Sequence, residues 1–182
     1  MVYIPLIILI VLAMWFVAAY NKLIRLSNQV KNAWHQIDVQ LKRRHDLIPN
    51  LVEVVKDYMA YEQETLTRVI EARSAAVNAK GAAAQGKAEN FLTESLKSLL
   101  AVVESYPELK ANKNVASLQE ELTGTENKIS FARQFFNDSV MSYNNTIQTI
   151  PTNLIASLCN FVKETYFQIE ETDRAVPKAS LR

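Results

Sequence analysis

A chain of 182 residues with 20 Lys and Arg against 19 Asp and Glu has a formal net charge of +1, so no overall field draws it to nucleic acid. One cysteine, Cys159, excludes an intramolecular disulfide and any zinc cluster built on several cysteines. Three glycines and five prolines leave few breaks, which favours long helices over a turn-rich sheet.

Residues 2–20 (VYIPLIILIVLAMWFVAAY) contain no charge and no glycine. As a helix they would span roughly 28 Å, close to the thickness of a bilayer hydrocarbon core. A cleaved signal peptide would want a basic start and a small-x-small cleavage site. Residues 1–5 hold no Lys or Arg, and the run ends in Ala18-Ala19-Tyr20-Asn21. A core helix of this length would show a polar face, and none precedes Asn21. Residues 1–20 are therefore expected to form a single transmembrane anchor, with residues 2–20 in contact with membrane lipids. Pro5 falls in the first turn, where its missing N–H is no loss. Trp15 and Tyr20 suit the interface belt, and Lys22 and Arg25 lie just beyond it. Basic residues follow the span and none precedes it, which predicts a short N-terminus outside and a cytoplasmic body.

No Gly or Pro separates the anchor from Leu23, Leu26, Val30, Trp34, Ile37 and Leu41, whose helical spacing predicts that the membrane helix runs on. Pro49 can kink one long helix or open a new one capped by Asp46; a break near residues 44–46 is expected. A second helix is outlined by Leu51, Val55, Tyr58, Thr65, Val69, Ala72 and Ala76, ending near residues 78–81. The small-residue stretch 79–88 (AKGAAAQGKA) reads as a mobile, protease-sensitive loop. Leu92, Leu96, Leu99, Val103 and Tyr106 form the next stripe, with Asn90 as N-cap and Pro107 near its end. Residues 112–114 then supply a turn.

The clearest helix follows. Leu118, Leu122, Thr125, Ile129, Ala132, Phe136, Val140, Tyr143, Ile147 and Ile150 recur at a mean step of about 3.6, one apolar stripe along a single helix. Ser117 with Glu120 forms a capping box and Asn114 is a competing N-cap, while Pro151 closes the element. Gly124 reads as a place of close helix approach. Such stripes are buried most simply by antiparallel packing through short connections. The expected fold is all-α: an N-terminal transmembrane helix continuing into an antiparallel four-helix bundle over 21–160, followed by a tail, 161–182.

Candidates for chemistry are few. Neither His35 nor His45 has Glu three positions before it, as a di-iron bundle would require, and their spacing matches no zinc motif. Trp34-His35 reads as a half-buried histidine bonded to a neighbour, and Cys159, among Leu158 and Phe161, as a buried inert thiol. Phosphate loops and nucleophile elbows are missing, so no catalytic, metal or cofactor site is expected. The densest polar cluster is Lys42, Arg43, Arg44, His45 and Asp46. It reads either as cations at a helix C-terminus, stabilised by the macrodipole, or as a docking surface for an acidic partner or an anionic lipid headgroup, the lipid version weakened by a distance of roughly 35 Å from the membrane. Asn137 and Asn144 either fix helix register or face water. Arg73, Glu126 and Arg133 could pair across helices.

Several stretches together resemble the LemA family of bacterial proteins. They are Tyr20-Asn21 with Leu23, Ala33-Trp34, Gln36-Ile37, the run 42–52 (KRRHDLIPNLV), Glu71-Ala72-Arg73, 100–112 (LAVVESYPELKAN), 124–129 (GTENKI), Ala132-Arg133, Tyr143-Asn144 and Pro151-Thr152-Asn153. Asp57 and Tyr61 stand where the family often has Gly and His, Phe135-Phe136 is more aromatic than usual, and the tail after Phe161 diverges. The resemblance implies a membrane-anchored helical bundle at the bacterial cytoplasmic membrane, with no established catalytic activity. Roles in membrane organisation or protein assembly follow by analogy. The expected function is a non-enzymatic scaffold or adaptor that contacts other membrane proteins or copies of itself as a homo-oligomer. The alternative is a sensor holding a small molecule near Tyr58, Tyr61 or Tyr143.

Overall fold

Pro49 does not end the first helix. In the computed structural model, which describes residues 3–59 and 61–167, α1 runs unbroken over Tyr3–Val55 with Pro49 inside it. A helical proline removes the N–H that would have bonded the carbonyl four residues back. Here that carbonyl belongs to His45, and the Arg73 Nε donates to it at 2.7 Å. The orphaned acceptor is satisfied by another helix, so the break expected near residues 44–46 is not needed.

The remaining helices are α2 (Gln63–Asn78), α3 (Ala82–Glu104), α4 (Pro107–Ala111), α5 (Lys113–Gln148) and α6 (Thr152–Leu158). No strand occurs among the described residues, and the fold is all-α. Met1 and Val2 of the expected anchor, and residues 168–182 of the expected tail, lie outside the described residues.

Several local expectations are corrected. The stretch 79–88 is mostly helix: the connection shrinks to residues 79–81, and α3 starts at Ala82. Its alanines are the strongest helix formers available, and Gly81 supplies a φ of 83° that an L side chain resists. Between α1 and α2, residues 56–59 and 61–62 interrupt the predicted second helix; Met59 is fully buried there while Tyr58 is exposed. Asn112, not Asn114 or Ser117, caps α5, its Oδ1 accepting from the backbone N–H of Asn114 at 2.9 Å and of Val115 at 3.4 Å. Pro151 follows the end of α5 as expected, but Ile150 is exposed rather than part of the buried stripe.

The chain divides into two compact units, one gathering residues up to Val39 with Ser130–Tyr166, the other Gln40–Ile129 with Phe167. In the first unit the large apolar side chains from Tyr3 to Val17 are exposed, so the N-terminal stretch is long and apolar enough to cross a membrane and is not a core helix. Below it Leu23, Val30, Ala33 and Ile37 of α1, Phe136, Val140, Tyr143 and Ile147 of α5, and Ile155 and Ala156 of α6 are buried. Trp34 packs edge-on against Phe136, with centroids 5.4 Å apart. His35 is exposed, because it points away from this stripe. Cys159 is half-buried at the end of α6 rather than enclosed. Asn144 neither faces water nor pairs helices: its side chain donates to the Glu164 carbonyl and accepts from the Glu164 N–H, both at 2.9 Å.

In the second unit a single apolar cluster joins α1 (Ile48, Leu51, Val55), α2 (Leu66, Val69, Ala72, Ala76), α3 (Leu92, Leu96, Leu99, Val103), α4 (Leu109) and α5 (Val115, Leu122). Gly124 is not a contact point: a Cβ built there meets nothing within 4 Å. Gly124→Ala should therefore stabilise the protein by about 0.5–1 kcal/mol through helix propensity alone, read as a higher midpoint in urea. A lower midpoint would mean that the open space is used. The Pro49–Arg73 compensation gives a second outcome. Arg73→Ala should cost about 1 kcal/mol in the native background and close to nothing beside Pro49→Ala, which restores the backbone donor. Additive effects in this double-mutant cycle would refute the compensation.

Candidate functional site

The stripe of α3 explains how charge comes to lie inside the second unit. Leu92, Leu96, Leu99 and Val103 continue backwards at the same spacing to Glu89 and Gln85, and both are buried. Glu89 is wholly enclosed, which in isolation would cost a carboxylate several kcal/mol. Three donors converge on it. Arg44 of α1 donates from Nη2 to one oxygen. The other oxygen accepts from His45 Nε2 at 2.7 Å and from Gln85 Nε2 at 2.8 Å. Because the carboxylate can only accept, His45 carries its proton on Nε2.

The network extends to every long helix of the unit. Arg44 Nη1 donates to Thr93 Oγ1 at 2.9 Å and to Glu126 of α5. Gln85 donates its second hydrogen to the Ala76 carbonyl of α2 at 3.0 Å. Arg73, also on α2, holds the His45 carbonyl. Burial pushes the Glu89 carboxyl up, but the His45 hydrogen bond and the Arg44 charge outweigh it and hold the group below its ordinary value of 4.5.

Beside this network a half-open cleft of about 180 Å³ lies between α3 and α5, walled by Leu96, Leu100 and Leu122. Arg44, Thr93 and Glu126 line it as well, so the network forms its polar end. Among the described residues no group of three or more His, Cys, Asp or Glu side chains could hold a metal ion.

The five clustered residues read from the sequence therefore separate. Arg44 and His45 point inward and are buried, while Lys42, Arg43 and Asp46 are exposed. The macrodipole reading is overturned, since α1 continues past them to Val55. A single docking surface of all five is excluded by the same burial. Arg43 pairs with Glu121 at 3.4 Å, an exposed contact worth at most about 1 kcal/mol. Trp15, Tyr20, Lys22 and Arg25 are all exposed in the first unit. Of the tyrosines considered for a ligand, Tyr61 is fully exposed and Tyr143 spends its hydroxyl on the Val162 carbonyl at 2.9 Å. Glu89 and Gln85 were missed because the alanines around them resemble a loop. The phase of the α3 stripe, carried two steps further back, would have found them.

Replacing Glu89 by Leu leaves Arg44 buried beside a vanished partner, and should cost about 3–5 kcal/mol in thermal unfolding of the detergent-solubilised chain. Adding Arg44→Met should return most of that loss. Acid acts through the same group. Its stabilisation is complete above the ordinary carboxyl value and is lost as pH falls below 4.5 through the lower folded-state value. The native melting temperature should drop towards that of Glu89→Leu in this range; two parallel curves would overturn the assignment.

Comparison with known proteins adds an independent observation. The model of the LemA family matches residues 33–180. Protein LemA of Metamycoplasma hominis is 28% identical over 87% of this chain and 73% of its own length. Magnetosome protein MamQ 2 of Paramagnetospirillum magneticum is 23% identical over 82% of this chain, and Magnetosome protein MamQ of Magnetospirillum gryphiswaldense 22% identical over 81%. The chain spans 64% of the length of each of these two magnetosome proteins.

Proposed function

We propose that this chain, which belongs to the LemA family, is a membrane-anchored, non-enzymatic scaffold or adaptor that works by protein–protein contact or self-assembly at the bacterial cytoplasmic membrane. The observation that carries this reading is the exposed apolar start of α1, whose side chains from Tyr3 to Val17 are left uncovered by the other described residues. A stretch of that length and apolarity takes lipid as its solvent. Lys22, Arg25 and Lys31 follow it, which favours a cytoplasmic body and a short N-terminus outside. Confinement to a membrane raises local concentration, so lateral contacts that are weak in solution become effective.

Two further observations support contact over catalysis. Arg44, His45 and Glu89, the groups best equipped for chemistry, are bonded to one another in the interior. Relatives that are magnetosome proteins are consistent with a part in organising a membrane-bound assembly.

The cleft beside Arg44 favours a second reading, a sensor. Its volume of about 180 Å³ resembles cavities that accept a benzene-sized group and falls short of drug-sized pockets of roughly 300 Å³ or more. A sensor would be stabilised by a metabolite fraction in a thermal-shift assay, and a scaffold would not. Native mass spectrometry after gentle detergent extraction from cells tests the leading proposal. Homo-oligomers, or a stoichiometric membrane partner, are expected. Bare monomer throughout, or recovery of the chain in the aqueous fraction, refutes it.

A further inference from the structure

Two long stretches of the chain hold no Asp, Glu, Lys, Arg or His: residues 1–21 and residues 139–162. Both belong to the same compact unit. The first contains the apolar span. The second covers the end of α5, all of α6 and the segment after it, in a chain of which 21% is charged. A water-facing surface of that extent would ordinarily carry charge. This one carries Ser, Thr, Asn and Gln, interspersed with large apolar side chains.

Val140, Tyr143, Ile147 and Ile155 of this run are buried, but others point outward. Leu154 and Leu158 sit four apart on α6, on one face, and are 68% and 73% exposed, while Ile155 and Ala156 between them are buried. Ile150 before the helix and Val162 after it are exposed as well. The segment after α6 is firmly held, with the Tyr143 hydroxyl on the Val162 carbonyl and the Asn144 side chain on both backbone groups of Glu164. Phe161 meets Tyr20 edge-on, with centroids 5.9 Å apart. Tyr20 closes the apolar span, and Lys22 and Arg25 follow it. The outward face of α6 is thus tied to the point where α1 would leave the lipid, and the first charges after the run, Lys163 and Glu164, appear just beyond Phe161.

We propose that α6, with Ile150 and Val162 on either side, is a second membrane contact, lying in the headgroup–acyl boundary next to the anchor and burying Leu154 and Leu158 in lipid. The proposal rests on the reading of residues 2–20 as a transmembrane anchor. A helix this short would not hold a bilayer by itself, but tethering makes the encounter intramolecular. Continuity with the span favours lipid over a protein partner, since a bilayer surface is present wherever α1 enters one.

The test uses the full-length chain in vesicles of phosphatidylcholine and phosphatidylglycerol. Nitroxide labels are placed one at a time by Ile10→Cys, Asp138→Cys, Leu154→Cys and Leu158→Cys in a Cys159→Ser background. Relaxation enhancement by oxygen, which concentrates in lipid, is compared with that by a water-soluble nickel chelate. The expected oxygen-to-nickel ratio at 154 and 158 is several-fold above that at 138 and approaches that at 10. Two exposed positions on α6 guard against one label disturbing the fold. A lipid signature at 10 with high nickel access at 154 and 158 overturns the proposal and leaves the anchor intact. Exclusion of both reagents at 154 and 158 means that protein covers the face, and also overturns it. A water signature at 10 removes the anchor reading and this proposal together.

Discussion

The enclosed carboxylate of Glu89 is the constraint around which the second unit is arranged. A buried anion is tolerable only where donors converge on it, and here they come from Arg44 and His45 of α1 and from Gln85 one turn earlier on α3. Those donors create further demands, met by Thr93 on α3, Glu126 on α5 and the Ala76 carbonyl of α2. Apolar packing alone would let each helix rotate or slide at modest cost. A directional network does not, since the hydrogen bonds of Arg44, His45 and Gln85 to Glu89 hold only at particular positions of the helices. Removing one partner of such a pair is costly, whereas a well-packed apolar replacement of the whole pair is often equally stable.

The continuity of α1 belongs to the same system. Pro49 frees the His45 carbonyl, and Arg73 occupies it, so the residue whose ring bonds Glu89 has its backbone held by α2. A proline that would normally end a helix instead provides a docking point for a neighbouring side chain. The run RRHDLIPN is thus a structural device: Arg44 and His45 face the interior, Pro49 exposes an acceptor, and Ile48 and Leu51 enter the core. This accounts for Arg44 and His45 without a surface role for either.

Much of this was readable from residue order. The stripe from Leu118 to Ile147 follows a period near 3.6 over many turns and is buried at nearly every member, because periodicity accumulated over that length outweighs local propensity. The exposed span from Tyr3 to Val17 follows from composition alone. Local punctuation was less reliable. Alanine and glycine at 79–88 mimic a loop, yet alanine is the best helix former, and only Gly81 breaks the chain. Gly124 suggested close approach and has open space beside it.

The sequence by itself determined an all-helical chain with an apolar segment able to cross a membrane and a set of amphipathic faces, because those properties follow from spacing and hydrophobicity along one dimension. Tertiary structure alone decided which of five neighbouring polar residues turn inward, which carbonyl Arg73 binds and which carboxylate sits among them. The bonds that Arg73 and Glu126 make to α1 join residues 28 and 82 positions apart, and no local pattern encodes which distant partner each will meet.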